Sequence, residues 1–447
     1  MSGRPSERPL GHRREIVRLA VPAFLALIAE PLFLLADSAI IGHLGTAELA
    51  GLGVASAALI TAAGVFVFLA YGTTSIVARH LGAGDEGSAI SAGLDGLWLA
   101  IALGVATAVV MGVGAGPICG AFGASPAVLE QATTYLRISA FGIPAMLVIL
   151  AVTGVLRGLQ DTTTPLVASV VGFGVNIALN LLLVYGLHWG IAGSAWGTVI
   201  AQTGMALALV AVLFVKARAR QTRLRPRPGG VLSAARTGIP LLVRTLALRA
   251  TLLVTTWVAA SLGDVPLAAH QVALTVWSFL AFALDALAIA AQAITGRALG
   301  AGDRKSVRVA MGTMVRWGVW GGLGLGLVLV ALHSVIPPLF TTDPAVRSAL
   351  GAALVVVGLS QAVAGYVFVL DGVLIGAGDG TWLAWGMAIT FVAYLPLILA
   401  VRAAGPSGSA SRDVVVLWLA FTAFMVIRGI VLGWRARSDA WMVVGAR

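Results

Sequence analysis

Apolar runs of twenty or more residues recur along the whole of this 447-residue chain. A run of that length is what a helix needs to cross the hydrocarbon core of a bilayer. Segments long enough to span lie near residues 16–41, 47–79, 88–113, 126–152, 163–187 and 191–215, and again near 234–260, 266–297, 306–332, 344–370, 381–402 and 413–434. Composition agrees. The chain is 59% hydrophobic and 11% charged, with a mean hydropathy of +0.98, far above that of a domain with an ordinary polar surface. The expected fold class is therefore an all-α polytopic membrane protein of twelve transmembrane helices, with the lipid bilayer as its first partner.

The net charge of +11 comes mostly from arginine, Lys216 and Lys305 being the only lysines. These residues sit between apolar segments and not in a basic domain interleaved with aromatics, so they describe membrane topology and imply no nucleic acid partner. Arg4, Arg8, Arg13, Arg14 and Arg18 precede the first apolar run, which is too long for a signal peptide and leads straight into a second. An uncleaved first span with a cytoplasmic start follows. Arg79, the linker bases, the cluster Arg297, Arg304, Lys305 and Arg308, and the tail bases Arg435 and Arg437 then all fall on the cytoplasmic side, as short basic loops do. Arg347, Arg402 and Arg412 run against this pattern. The expected location is the inner (plasma) membrane, with both termini cytoplasmic.

The strongest internal signal is a repeat at an offset of 218 residues. Leu81-Gly82-Ala83-Gly84-Asp85 recurs as Leu299-Gly300-Ala301-Gly302-Asp303. In the same ungapped register Pro22 meets Pro240, Arg79 meets Arg297, Phe122 meets Phe340, Pro126 meets Pro344 and Asp161 meets Asp379. Gly154-Val155-Leu156 and Gly158 likewise meet Gly372-Val373-Leu374 and Gly376. Scattered Ala, Leu and Gly matches follow from biased composition, but Pro, Phe and Asp matches in one register do not. The expected domains are a six-helix lobe over 1–218, a basic, Pro- and Gly-rich linker over 219–230, and a second six-helix lobe over 231–447. Six spans per half is an even number, so the repeat is parallel, and a central cavity with alternating access is the natural mechanism.

Polar residues inside the spans are the candidate site, because an ionisable group in hydrocarbon is costly and seldom kept without a use. Glu30 and Asp37 lie seven residues apart in the first span and so on one face. Loss of hydration favours a neutral carboxyl group, the property a proton-coupling residue needs. The alternative is hydrogen bonding for packing, or a position near the outer interface. Pro22 and Pro31 each remove a backbone hydrogen bond from this helix and allow either a working bend or a static kink. Asn176 and Asn180 are an i, i+4 pair that either bonds a protonated Asp37 or joins two helices. Gln202 and Asp95 are further candidates for the cavity wall. In the second half the positions of Glu30 and Asp37 are taken by Leu248 and Thr255. That half instead carries Arg244, Arg249, Asp285 and Asp371, beside His270 and Gln271. Arg244 and Arg249 either pair with acids such as Asp285 or form a second substrate or ion subsite.

Other chemistries find no support. Cys119 is the only cysteine, which excludes an intramolecular disulfide framework and a multi-cysteine zinc site. Gly82, Gly84 and Gly87 spell a dinucleotide fingerprint, but between helices and without a counterpart at the second copy. No Gly-Lys-Ser or Gly-Lys-Thr is present, and His43, His80, His188, His270 and His333 have no metal-binding spacing. No enzyme and no bound cofactor or metal is expected.

The stretch from Ala29 to Gly45, which holds Glu30-Pro31 and Asp37-Ser38, resembles the opening of MATE (multidrug and toxic compound extrusion) transporters, in the branch named for the DNA-damage-inducible F protein. The paired Leu-Gly-Ala-Gly-Asp loops and Ala269-His270-Gln271 fit the same family, and the resemblance covers essentially the whole chain. It implies two six-helix lobes around a central cavity and drug export driven by inward flow of protons or sodium. It also places the family's first-helix aspartate at Asp37, its bending proline at Pro22 and its fifth-helix polar pair at Asn176 and Asn180. The second member of that pair is often an acid in relatives and is Asn here, and a seventh-helix glutamate of other branches is replaced by Leu248. Both departures argue against sodium sites of those forms. The expected function is a monomeric, proton-coupled antiporter for amphiphilic, cationic small molecules. The alternatives are export of an organic anion such as citrate, through Arg244 and Arg249, or a lipid-linked glycan flippase of the same superfamily.

Overall fold

A computed structural model describes residues 9–446, the side chains of residues 9–13, 30 and 33–35 excepted. The described residues form helices: α1 Pro9–Gly42, α2 Thr46–Phe66, α3 Phe68–Gly82, α4 Glu86–Val113, α5 Ala115–Gly120, α6 Pro126–Ala140, α7 Ile143–Gly158, α8 Thr163–Leu181 and α9 Gly190–Ala219. After the linker come α10 Pro228–Ser261, α11 Asp264–Gly300, α12 Arg304–Ala331, α13 Pro337–Phe340, α14 Pro344–Gly376, α15 Gly380–Ala404 and α16 Ala410–Arg437. Among the described residues ten helices are long and apolar enough to cross a bilayer, α2 and α3 together making one of them. The pair α6 and α7, bent by 52°, is long and apolar enough only when taken together, and counted as one span it makes eleven. The 34 residues of α1 rise about 50 Å, enough for a twelfth.

By their contacts the described residues divide into two units. The first holds Val21–Ile239 with 445–446, and the second holds 9–20 with Pro240–Val444. The linker and the opening turns of α10 thus belong to the first unit. In that unit Val77, Ile90, Leu94, Leu97, Val152, Val155, Leu156, Leu209 and Leu213, from α3, α4, α7 and α9, form a buried apolar core.

The repeated residues have identifiable structural work. In the Leu-Gly-Ala-Gly-Asp loops the chain leaves one helix through a left-handed glycine, Gly84 at φ 81° and Gly302 at φ 77°, a conformation that costs glycine least. It then enters the next helix behind an aspartate cap. Asp85 Oδ1 accepts the Ser88 amide at 2.8 Å, and Asp303 Oδ1 accepts the Ser306 amide at 2.9 Å. Hydrogen bonds from the Ser88 hydroxyl and amide hold the exposed Asp85 carboxyl below its usual range. Asp161 meets Lys216 at 4.0 Å, and its twin Asp379 meets Arg435 at 2.7 Å.

The paired glycines of α7 and α14 are close-approach points. A Cβ on Gly154 would come within 2.9 Å of the Ala70 Cα, and one on Gly372 within 2.8 Å of the Ala288 Cα. Ala70 and Ala288 are themselves 218 residues apart, so both halves seat this helix on the span-two or span-eight helix in the same way. Small residues at such crossings let helices pack without hydrophobic drive from water.

The halves differ where their sequences do. Gly142 and Pro144 stand at the break between α6 and α7, because Pro144 has no amide to give and its ring crowds the preceding turn. Their counterparts are Ser360 and Ala362, and α14 runs through them unbroken. Replacing Gly372 by Leu is expected to cost about 3 kcal/mol by overpacking. Gly324→Leu, where an added Cβ meets nothing within 4 Å, should be tolerated. Size-exclusion profiles and thermal unfolding in detergent compare the two.

Candidate functional site

Asp37 lies in the last third of α1, inside the first unit, and is 3% exposed. Three side chains from three other helices point their donors at it. Asn180 Nδ2 on α8 reaches Oδ1 at 2.6 Å, Ser194 Oγ on α9 reaches the same oxygen at 2.7 Å, and the Tyr135 hydroxyl on α6 reaches Oδ2 at 3.2 Å. The network continues one turn away, where Asn180 Nδ2 also donates to Asn176 Oδ1 at 3.1 Å and Asn176 Nδ2 donates to Thr198 Oγ1 at 3.1 Å. Two i, i+4 pairs, Asn176 with Asn180 and Ser194 with Thr198, therefore face one another between α8 and α9. Just beyond, α8 continues as a π-helical turn, Leu182–Gly186, from which the Tyr185 hydroxyl donates to the Ile40 carbonyl of α1 at 2.5 Å.

Among the described residues the hydrogen-bond partners of Asp37 are all neutral. A carboxylate here is satisfied by three donors, and a carboxylic acid is tolerated as well, because the Ser194 and Tyr135 hydroxyls can rotate from donating to accepting. Asn180 Oδ1 is buried with no hydrogen-bond partner among the described residues. The site can thus exchange a proton, or offer oxygen ligands to a hard monovalent cation.

The other sequence candidates are distributed as follows. Pro22 and Pro31 are half-buried within α1, which stays helical through both. The Glu30 side chain lies outside the described residues. Gln202 is half-buried two turns beyond Ser194 on the same face of α9, beside the break at Gly142. In the second unit Arg244 is buried, and the acid it bonds is Asp371, Nε to Oδ1 at 3.1 Å. Arg428 of α16, also buried, meets the same oxygen at 3.1 Å. Arg249 is exposed. Five residues on a helix turn it about 140° from Arg244, so the two arginines share no site. Asp285 is half-buried and Gln271 exposed. His270 is buried against the Trp418 ring, with Nε2 3.1 Å from Thr256 Oγ1. At the counterparts of Asp37 and Asn176, Thr255 and Tyr394 share a hydroxyl–hydroxyl bond of 2.7 Å. Sequence reading missed Tyr135, Ser194, Thr198 and Arg428. The spacing of Ser194 and Thr198 and the position of Arg428 within an apolar run were the available signals.

The MatE family model matches this chain twice, over residues 22–182 and 240–401. The two matches begin at Pro22 and Pro240, the offset of the internal repeat. The chain belongs to the MATE family. Among curated relatives, Protein DETOXIFICATION 44, chloroplastic, of Arabidopsis thaliana is 33% identical over 449 residues, which cover 96% of this chain and 84% of that protein. DNA damage-inducible protein F of Escherichia coli (strain K12) is 30% identical over 437 residues, covering 95% and 92%. A solved structure described as the outward-facing conformation of a multidrug resistance MATE family transporter of the MOP superfamily shares the fold, with a TM-score of 0.86 at 22% identity over 96% of each chain. This MATE protein is accordingly a multi-pass membrane transporter of the multidrug and detoxification class, and not an enzyme.

The network predicts a measurable coupling. Tyr135→Phe removes one donor from Asp37 and should destabilise the protein in detergent at neutral pH. In an Asp37→Asn background the same change should cost less, by about 1 kcal/mol. A double-mutant cycle on thermal unfolding checks it.

Proposed function

We propose that this MATE transporter is a proton-coupled antiporter in which Asp37 is the coupling residue. The observation that carries this reading is a single buried carboxylate whose hydrogen-bond partners, Asn180, Ser194 and Tyr135, are all neutral. A proton neutralises such a cluster by forming one O–H bond, whereas a sodium ion of the same charge needs several oxygen ligands at a place where Asn180, Ser194 and Tyr135 aim donors. Protonation of Asp37 frees the donors now aimed at its oxygens. Because Asp37 and Pro22 lie on one helix, the released α1 bends near Pro22, the cavity of the first half shrinks, and the substrate leaves to the outside. An acid that is negative when unprotonated fits an amphiphilic, cationic substrate exchanged for protons.

A second reading, export of an organic anion, draws on the second unit, where two buried guanidinium groups, Arg244 and Arg428, share the one Asp371 carboxylate. Everted vesicles with an imposed pH or sodium gradient distinguish the two when challenged with cationic dyes and with citrate. A pH gradient is expected to drive dye uptake, and Asp37→Asn to abolish it with folded protein retained. Unchanged transport by Asp37→Asn, or transport driven by sodium alone, would overturn the proton mechanism.

A further inference from the structure

Asp95 is a buried carboxylate that the Asp37 network does not use. It is 4% exposed and lies nine residues into α4, about 13 Å along the helix. Its partner comes from the linker and not from a neighbouring span. The Arg227 guanidinium grips both oxygens, with Nε 3.4 Å from Oδ1 and Nη2 on Oδ2. One turn further along α4, Trp98 Nε1 donates to the Leu224 carbonyl at 3.1 Å. A Cβ built on Gly230, in the first turn of α10, would lie 2.5 Å from the Asp95 Cγ, and one on Gly238 would press on the Phe68 ring at 2.7 Å. Earlier in the linker Arg220 meets Glu86 at 2.5 Å. The chain from the end of α9 to Ile239 is therefore fastened along its length to the first unit.

At Pro240, in mid-helix, α10 passes into the second unit. The same happens in reverse at the start of the chain. Residues 9–20 belong to the second unit, where Glu15 meets Arg297 at 3.2 Å, and α1 passes into the first unit beside Pro22. Pro22 and Pro240 are repeat partners. Each removes a backbone hydrogen bond and so marks the place where its helix bends most easily. A bend transmits motion only if both arms are fixed, and the ion pair on Asp95 fixes the short arm of α10.

We propose that Asp95 and Arg227 are positioning residues for transport: they hold residues 228–239 on the first unit throughout the cycle, so that α10 pivots at Pro240 as α1 does at Pro22. The inference rests on the alternating-access reading above but not on which ion drives it. Loosening the tether leaves α10 to slide instead of pivoting, which slows turnover while substrate affinity is kept.

The geometry supplies its own test. Asp95→Cys with Gly230→Cys, in a Cys119→Ser parent that has no other thiol, deletes the ion pair and sets two sulfurs within bridging reach. Reduced, this variant should transport several-fold more slowly than the parent at unchanged KM, and oxidation to the disulfide should restore the rate. Arg227→Gln should show the same slow turnover, and Arg227→Lys should recover part of it, which keeps the test open if the cysteine pair does not fold. Reduced protein as fast as the parent, or oxidised protein that stays inactive, would overturn the proposal. Adding Asp37→Asn should abolish gradient-driven transport in both redox states. If it does so while oxidation fails to rescue, the tether alone is wrong and the coupling site stands.

Discussion

A peptide group in hydrocarbon has no water to bond, and an unpaired amide or carbonyl there costs several kcal/mol. The described chain answers that constraint with helices, and two of its departures from regular helix have side-chain partners. The break at 141–142 packs beside Gln202, and the π-helical turn after α8 is held by the Tyr185 bond to Ile40. Because apolar side chains gain nothing from leaving lipid for another helix, close contact has to come from small residues. That is the role of Gly154 on Ala70 and of Gly372 on Ala288.

The same constraint sorts the charged side chains. Asp95 has Arg227, Asp371 has Arg244 and Arg428, and Asp379 has Arg435, so each of these acids is balanced where it stands. Fixed pairs of this kind brace helices and hold segments in place. Asp37 differs in meeting only amides and hydroxyls. Hydroxyls can donate or accept, so the surroundings of Asp37 can satisfy two charge states, which a salt bridge cannot do. Asp95, Asp371 and Asp379 are thus held in fixed ion pairs, while Asp37 is held by neutral groups.

Duplication supplied a frame and not a second copy of the chemistry. Helix caps, glycine contacts and the prolines of α1 and α10 recur at the same offset because any six-helix unit of this shape needs them. The hydrogen-bonded cluster at Asp37 does not recur: Asp37 and Asn176 are matched by Thr255 and Tyr394, a neutral pair, and Tyr135 is matched by Ala353. The bend at Gly142 and Pro144 also belongs to the first half alone. The half that holds Asp37 is the half in which α6 and α7 are separated by a 52° bend.

The spans were legible in the sequence, because hydrophobic length is a property of each segment alone. The repeat was legible too, since Pro, Phe and Asp matches in one ungapped register have no compositional source. Asp37 stood out for its cost in an apolar run. The hydroxyls around it gave no such signal, because Ser and Thr in a helix can satisfy themselves on the preceding turn, as Thr73 and Thr245 do on Leu69 and Leu241 at 2.7 and 2.9 Å. Which acid Arg244 bonds, and that Arg249 points elsewhere, depended on helix rotation and neighbours, which spacing does not fix. Sequence shows the linker as a basic stretch between halves; only the packed structure draws it onto Asp95, because a buried carboxylate takes whichever cation the tertiary fold brings within reach.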